Sequence, residues 1–306
     1  MSFNPKTLHI ELTNLCSLEC PFCPRTECGV KKISHFSREW FESLEVEKFE
    51  LVNCCGTFGD PIYYPHLHEF MEHLNRKNEK IWVSINTNGS IHDKKWWQDF
   101  AKVLPKNHTV VFAIDGLAET HKIYRINSDF DKVIKNASNF IRAGGNAEWW
   151  MTLFKHNEKD INIAKKLSKG LGFKSFVMRP SFYYSGKFER PESNIKTRRE
   201  LSKMIKKDVY SCRISSGELF VDSYGRVLPC CHMYDTNISR LLTGGVLLTV
   251  HKRRISEIIN SGYLDRILSR LHKVKQCSSC KIIFQNVRGE SVQTLINFEK
   301  ELGNKQ

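Results

Sequence analysis

No apolar run in this chain approaches the ~18 residues that a helical membrane span requires, so no such span is expected. Nor is there a secretory signal: residues 1–5 lead straight into a strand-like segment, and the expected address is the cytoplasm. Low-complexity tracts are absent, and nothing repeats beyond an alternation of strand and helix units. With 41% hydrophobic and 26% charged residues, the composition is that of a globular chain and excludes a disordered one. At 306 residues it can bury a large core, as one big domain or two smaller ones. Without an oxidising compartment, its eleven cysteines read better as metal ligands than as disulfides.

Charge is uneven. Residues 1–180 carry a net +4 and residues 181–306 a net +10, within a total of +14. An acidic partner is therefore favoured at the C-terminal part, although a solvated lysine-rich surface would have the same composition.

Three of the cysteines stand together as Cys16-Ser17-Leu18-Glu19-Cys20-Pro21-Phe22-Cys23. Thiols at C-x3-C-x2-C spacing on one short loop cannot span a fold as disulfides, but they can grip one soft inorganic centre. Three ligands suit a four-iron cluster with one iron open to an exogenous ligand. A zinc knuckle short of one ligand, or three unrelated buried thiols, are the chemical alternatives.

Strand patterns fall at residues 7–12, 49–54, 81–86, 109–115, 147–153 and 175–178, with helical patterns at 38–46, 66–75, 94–103, 131–143 and 160–169. Gly144-Gly145 and Gly170 punctuate helix ends as C-terminal caps. Six β/α units in series predict a parallel sheet with right-handed crossovers. Periodicity does not separate an open sheet from a partial barrel. A cysteine loop after the first strand favours the barrel, whose chemistry sits at the C-terminal ends of strands. Residues 181–193 read as a bridge containing Tyr183-Tyr184. Beyond it come a helix over 194–207, a hairpin over 218–229 turning at Asp222-Ser223-Tyr224-Gly225, and short helices at 255–259 and 264–271.

The cysteine loop, with Phe22 before its last cysteine, resembles the signature loop of the radical S-adenosylmethionine (SAM) superfamily. The resemblance implies an α/β fold: a partial (β/α)6 TIM barrel, then a small α+β domain of the SPASM/Twitch type. The division is 1–180 barrel, 181–193 bridge and 194–306 auxiliary-cluster domain. It implies two [4Fe-4S] clusters and SAM as cofactors, with Cys16, Cys20 and Cys23 as the catalytic ligands. Cys55-Gly56-Thr57-Phe58-Gly59-Asp60-Pro61 resembles the family's Gly-Gly-Glu-Pro loop, so Gly59, Asp60 and Pro61 are expected at the SAM amino group. Here Phe58 replaces a glycine and Asp60 the glutamate. Thr87, Asn88 and Asp115 resemble residues lining the SAM pocket, and Arg125, twelve residues after Ala113, an arginine that contacts the SAM carboxylate.

Cys212-x12-Gly225-x4-Cys230 followed by Cys277-Ser278-Ser279-Cys280 resembles the Twitch extension and implies four ligands for a second cluster. A third cluster would need more cysteines. Structural zinc on the same four thiols is the alternative, and Cys231 competes with Cys230 as ligand. Cys54 and Cys55 read as small buried hydrophobes.

Such an enzyme cleaves SAM reductively to a 5′-deoxyadenosyl radical and abstracts hydrogen from a substrate. Peptide or protein modification is the leading expectation, although no N-terminal peptide-binding domain is recognisable. Oxidation of a small alcohol or sugar-like molecule is the alternative. RNA modification ranks third, since no RNA-binding module is visible; a non-enzymatic, zinc-stabilised nucleic-acid-binding protein is the rival outside enzymes. A low-potential electron donor such as flavodoxin or ferredoxin is the expected protein partner, and no membrane is expected.

Overall fold

The computed structural model describes residues 4–181, 184–192, 217–228, 230–231 and 247–270. Six strands follow one another through the first part: β1 (Thr7–Ile10), β2 (Leu51–Cys54), β3 (Trp82–Thr87), β4 (Asn107–Ala113), β5 (Ala147–Leu153) and β6 (Ser175–Pro180). Each pairs in parallel with the next. The helices between them are α1 (Pro24–Cys28), α2 (Leu67–Lys77), α3 (Lys94–Val103), α4 (Ala118–Tyr124), α5 (Phe130–Arg142) and α6 (Ile161–Leu171). This is the mixed α/β, parallel-sheet architecture of a partial barrel.

Strand alternation sorts side chains by face. In β1, Leu8 and Ile10 enter the apolar layer under the helices, while His9 and, beyond the strand, Glu11 take the other face. That apolar layer joins Val52, Val83, Ile85, Val110 and Phe112 from the strands to Phe70, Trp97, Phe100, Val133 and Phe140 from the helices. Burying each such side chain contributes about 1.5–3 kcal/mol. The helices begin where the chain supplies caps: Asp93 accepts from Trp96 N at 2.8 Å and Asp129 from Lys132 N at 3.1 Å.

The sheet continues on the far side of β1. β7 (Glu218–Val221) pairs in parallel with β1, and β8 (Arg226–Leu228) and β9 (Leu248–Thr249) follow antiparallel, giving the order β6-β5-β4-β3-β2-β1-β7-β8-β9 among the described residues. The hairpin between β7 and β8 turns where expected, with Asp222 Oδ1 accepting from Tyr224 N and Arg226 N. Two helices follow, α7 (Ile255–Asn260) and α8 (Tyr263–Arg270).

Three local expectations need correction. Residues 38–46 do not form one helix but belong to a series of 3-10 turns, Arg38–Trp40, Glu42–Leu44 and Val46–Lys48. Glu45 interrupts them in the left-handed region at φ 44°, its carboxylate taken by Ser256 N at 2.7 Å and Lys48 Nζ at 2.9 Å. Gly170 lies inside α6; the left-handed cap is Gly172, at φ 89°. Helix α4 carries no strong periodic signal and was not expected. The helix expected over 194–207 lies outside the described residues.

Candidate active site

The cysteine loop leaves β1 at its C-terminal end and is tied at several points. Cys23 N donates to Cys20 O at 3.0 Å, and Cys23 then caps α1, with Pro24 at its first position. Cys20 is buried; Cys16 and Cys23 are half-buried. Burial, with Asp60 and then the other two cysteines, pushes Cys16 up to about 12. Burial likewise pushes Cys20 up to about 11, against the opposing pull of Arg125. Cys16 and Cys20 thus resist ionisation alone, and a metal centre would stabilise their thiolates directly. Donors already face two of the sulfurs: Leu18 N and Asn88 Nδ2 lie 3.5 and 3.4 Å from Cys16 Sγ, and Arg125 Nη1 lies 3.9 Å from Cys20 Sγ. The residues present therefore fit a cluster held by three cysteines.

The loop after β2 packs directly on this segment. A Cβ on Gly59 would lie 2.0 Å from Thr13 O and 2.7 Å from Asn14 Cα, both backbone, so only glycine fits. Asp60 N donates to Leu15 O at 3.0 Å. The Asp60 carboxylate is buried and accepts from Asn88 N at 2.6 Å and Ile62 N at 3.2 Å. Burial pushes it up to about 6, against these backbone donors, the Thr87 hydroxyl and the Arg125 charge. Both of its oxygens thus serve the protein's own loops, and Pro61 starts the 3-10 turn Pro61–Tyr63 beside it. Thr87 Oγ1 accepts from Gly89 N at 3.0 Å, and Asn88 Oδ1 from Ser90 N at 2.9 Å.

Asp115 and Arg125 close the other side. Arg125 Nε donates to Asp115 Oδ2 at 2.6 Å, while Asp115 Oδ1 accepts from Thr152 N at 2.5 Å. Asn157 Nδ2 bridges the Asp115 and Thr152 carbonyls at 3.1 and 2.9 Å. Phe22 packs among Tyr124, Phe154 and Phe188, with ring centroids 5.4–6.4 Å away. The structure therefore brings Cys16, Cys20, Cys23, Phe22, Gly59, Asp60, Pro61, Thr87, Asn88, Asp115 and Arg125 to one end of the sheet. Of the second set, Cys230 is buried, and Cys212, Cys277 and Cys280 lie outside the described residues.

Two groups of buried polar residues are assembled by contacts that the linear sequence does not display, although Cys231 itself was legible as a competitor of Cys230. Glu11 holds the loop after β2: its Oε1 accepts from Phe58 N at 2.6 Å, and Thr57 and Gly59 N–H groups also face it. Burial pushes its carboxyl up to about 7, with Asp222 adding to the rise and the three backbone donors opposing it. Separately, His9, Glu218 and Cys231 meet in the interior, drawn from β1, β7 and the exit of β8. Burial disfavours a charged His9, but Cys231 and Glu218 beside it leave its pKa well above the ordinary imidazole value. Both groups depend on the pairing of β1 with β7 or on loop packing, which a linear pattern does not display.

Comparison with known proteins adds to this geometry. A family model described as "Radical SAM superfamily" matches residues 10–167, just over half of the chain, and one described as "Iron-sulfur cluster-binding domain" matches 212–281. A cysteine-type anaerobic sulfatase-maturating enzyme of Clostridium novyi is 27% identical over 138 residues, which cover 40% of this chain and 36% of that protein. The match thus spans about a third of that relative's length. Streptococcus suis SuiB bound to S-adenosylmethionine superposes with a TM-score of 0.66 at 17% identity, covering 92% of this chain and 72% of SuiB. Native anSMEcpe with bound AdoMet and Cp18Cys peptide superposes with a TM-score of 0.56 at 18% identity, covering 90% and 87%. At these identities the structural likeness establishes the fold.

Proposed function

This chain belongs to the radical SAM superfamily, and from that premise we propose that it modifies a peptide or protein substrate by hydrogen abstraction. The observation that carries the chemistry is the three-thiol loop with nitrogen donors already turned toward Cys16 and Cys20. Support for a peptide substrate comes from anSMEcpe, which shares the fold and was solved with a peptide bound. When bound, SAM at a reduced four-iron cluster supplies a 5′-deoxyadenosyl radical, the oxidising species for an unactivated C–H bond.

The chain's own residues bind, orient and exclude water. Cys16, Cys20 and Cys23 are assigned as ligands of the SAM-associated cluster. Arg125 is assigned to the SAM carboxylate: a guanidinium carries five N–H groups, so donors remain beyond those facing Asp115 and Cys20. Asp60 is assigned to the SAM amino group: a carboxylate has about four acceptor sites, so capacity remains beyond the N–H groups of Ile62 and Asn88. Phe22 and its aromatic neighbours wall the cysteine loop from water. We assign Cys212, Cys230, Cys277 and Cys280 to one auxiliary four-iron cluster, in the region that the cluster-binding family model matches. A flavodoxin or ferredoxin is the proposed electron source.

The test is anaerobic incubation of reconstituted protein with SAM, a reductant and size-fractionated cell extract. The expected result is 5′-deoxyadenosine together with a mass-shifted peptide or protein. If 5′-deoxyadenosine rises only with the small-molecule fraction, the peptide reading fails and oxidation of a small molecule takes its place.

A further inference from the structure

We propose that His9, Glu218 and Cys231 hold one zinc ion, at a site separate from the three-cysteine loop. Their donor atoms, an imidazole nitrogen, a carboxylate oxygen and a thiol sulfur, all lie within 4.8 Å of one another, and all three residues are buried. Mixed nitrogen, oxygen and sulfur donors are the ordinary zinc set, with bonds of about 2.0–2.3 Å that such a cluster reaches by small side-chain adjustments.

The topology builds the site. Parallel pairing sets Thr7 opposite Glu218 and His9 opposite Phe220, so His9 and Glu218 sit diagonally on one face of the sheet. Cys231 arrives from the exit of β8, its carbonyl fixed by Thr57 Oγ1 at 2.7 Å.

The two imidazole nitrogens are already differentiated. Nε2 faces the Cys55 carbonyl at 2.5 Å, an oxygen that can only accept, so this nitrogen carries a proton. Nδ1 lies 2.8 Å from Glu218 Oε1, inside the donor cluster. A metal-bound histidine characteristically donates its second N–H to a backbone carbonyl, which fixes the tautomer and aims the free lone pair at the ion. Here Nδ1 would be the ligating atom.

The Phe220 ring, 4.9 Å from His9 edge-on, adds an apolar wall. Among the described residues the site has three protein donors, the number found in zinc sites that keep a fourth, tetrahedral position for water. The neighbouring Cys230 keeps its assignment to the auxiliary cluster, so adjacent cysteines would serve different metals.

The experiment is metal analysis of the full-length protein, purified anaerobically and reconstituted with iron and sulfide, followed by zinc K-edge X-ray absorption. Wild-type protein should carry about one zinc per chain besides its iron, with one sulfur and otherwise nitrogen or oxygen ligands. H9Q and C231S should each lose at least tenfold in zinc while keeping the wild-type iron content. Circular dichroism establishes that each variant is folded, and the wild-type measurement stands whether or not they are. Wild type without zinc overturns the proposal. So does zinc that persists in both folded variants, which would place it elsewhere. Loss of iron in C231S also overturns it, because Cys231 would then be a ligand of the auxiliary cluster.

Discussion

Arg125 Nε donates to Asp115 Oδ2 at 2.6 Å, and the same guanidinium reaches toward Cys20 Sγ at 3.9 Å through Nη1. Asp115 is fully buried and ties the end of β4 to β5 through Thr152 N. One ion pair thus couples the rigidity of the sheet to the placement of a cysteine on the cluster loop. Breaking it leaves one buried charge without its partner, a change that costs about 3–5 kcal/mol. D115A should lower the unfolding free energy by that amount, measured by denaturant titration under anaerobic conditions. Wild-type stability in this variant would show that Arg125 relaxes into solvent at little cost.

The three loop cysteines should act as a unit. Replacing Cys16, Cys20 and Cys23 together by alanine should abolish reductive formation of 5′-deoxyadenosine, read by chromatography after dithionite reduction. A triple variant that still forms it would remove these residues from the chemistry.

The auxiliary set should be separable from that step. A variant lacking Cys212, Cys230, Cys277 and Cys280 should keep about half the iron and the ability to cleave SAM, while losing turnover of its substrate. Retention of all the iron by a folded variant would show that these thiols are not cluster ligands.

Two glycines should respond in opposite directions to the same methyl group. In G59A the new Cβ would meet the backbone of Thr13 and Asn14, which cannot move without displacing the cysteine loop. Loss of cluster absorbance and a large fall in stability are expected. Gly170 lies within α6 with nothing near its Cβ position, so G170A should stabilise the helix by about 0.5–1 kcal/mol. Thermal unfolding of both proteins side by side tests the pair.

Glu11 should impose a pH dependence on stability. Its carboxyl is raised from 4.5 to about 7 in the folded protein, chiefly by burial. Between those values the folded state keeps a proton that the unfolded state releases, so this contribution falls as pH rises from about 4.5 to 7. Glutamine cannot titrate. E11Q should therefore gain on wild type by about 3 kcal/mol between pH 4.5 and 8. A constant difference in unfolding free energy across that range would show that Glu11 is not held in this environment.

The sequence by itself determined what depends on near neighbours along the chain. Three thiols within eight residues announce a metal centre wherever the loop is placed, and apolar alternation marked all six barrel strands within a few residues of their ends. The hairpin at Asp222-Ser223-Tyr224-Gly225 was legible for the same reason: its bonds close within five residues. Tertiary structure decided whatever rests on distant partners. Glu45 breaks the expected helix because Ser256, 211 residues away, takes its carboxylate. Helix α4 begins where it does because Asp160 accepts from Leu117 N at 3.1 Å and from the Thr120 hydroxyl. The loop carrying Asp60 was legible, but not its bracing: its oxygens accept from the N–H groups of Ile62 and of Asn88, a residue 28 positions further on. His9 meets Glu218 only because β7 returns to pair beside β1, across 209 residues. Local spacing fixes ligand sets and element types; which buried polar groups meet is settled by strand order and close packing, where a partner must be found for each.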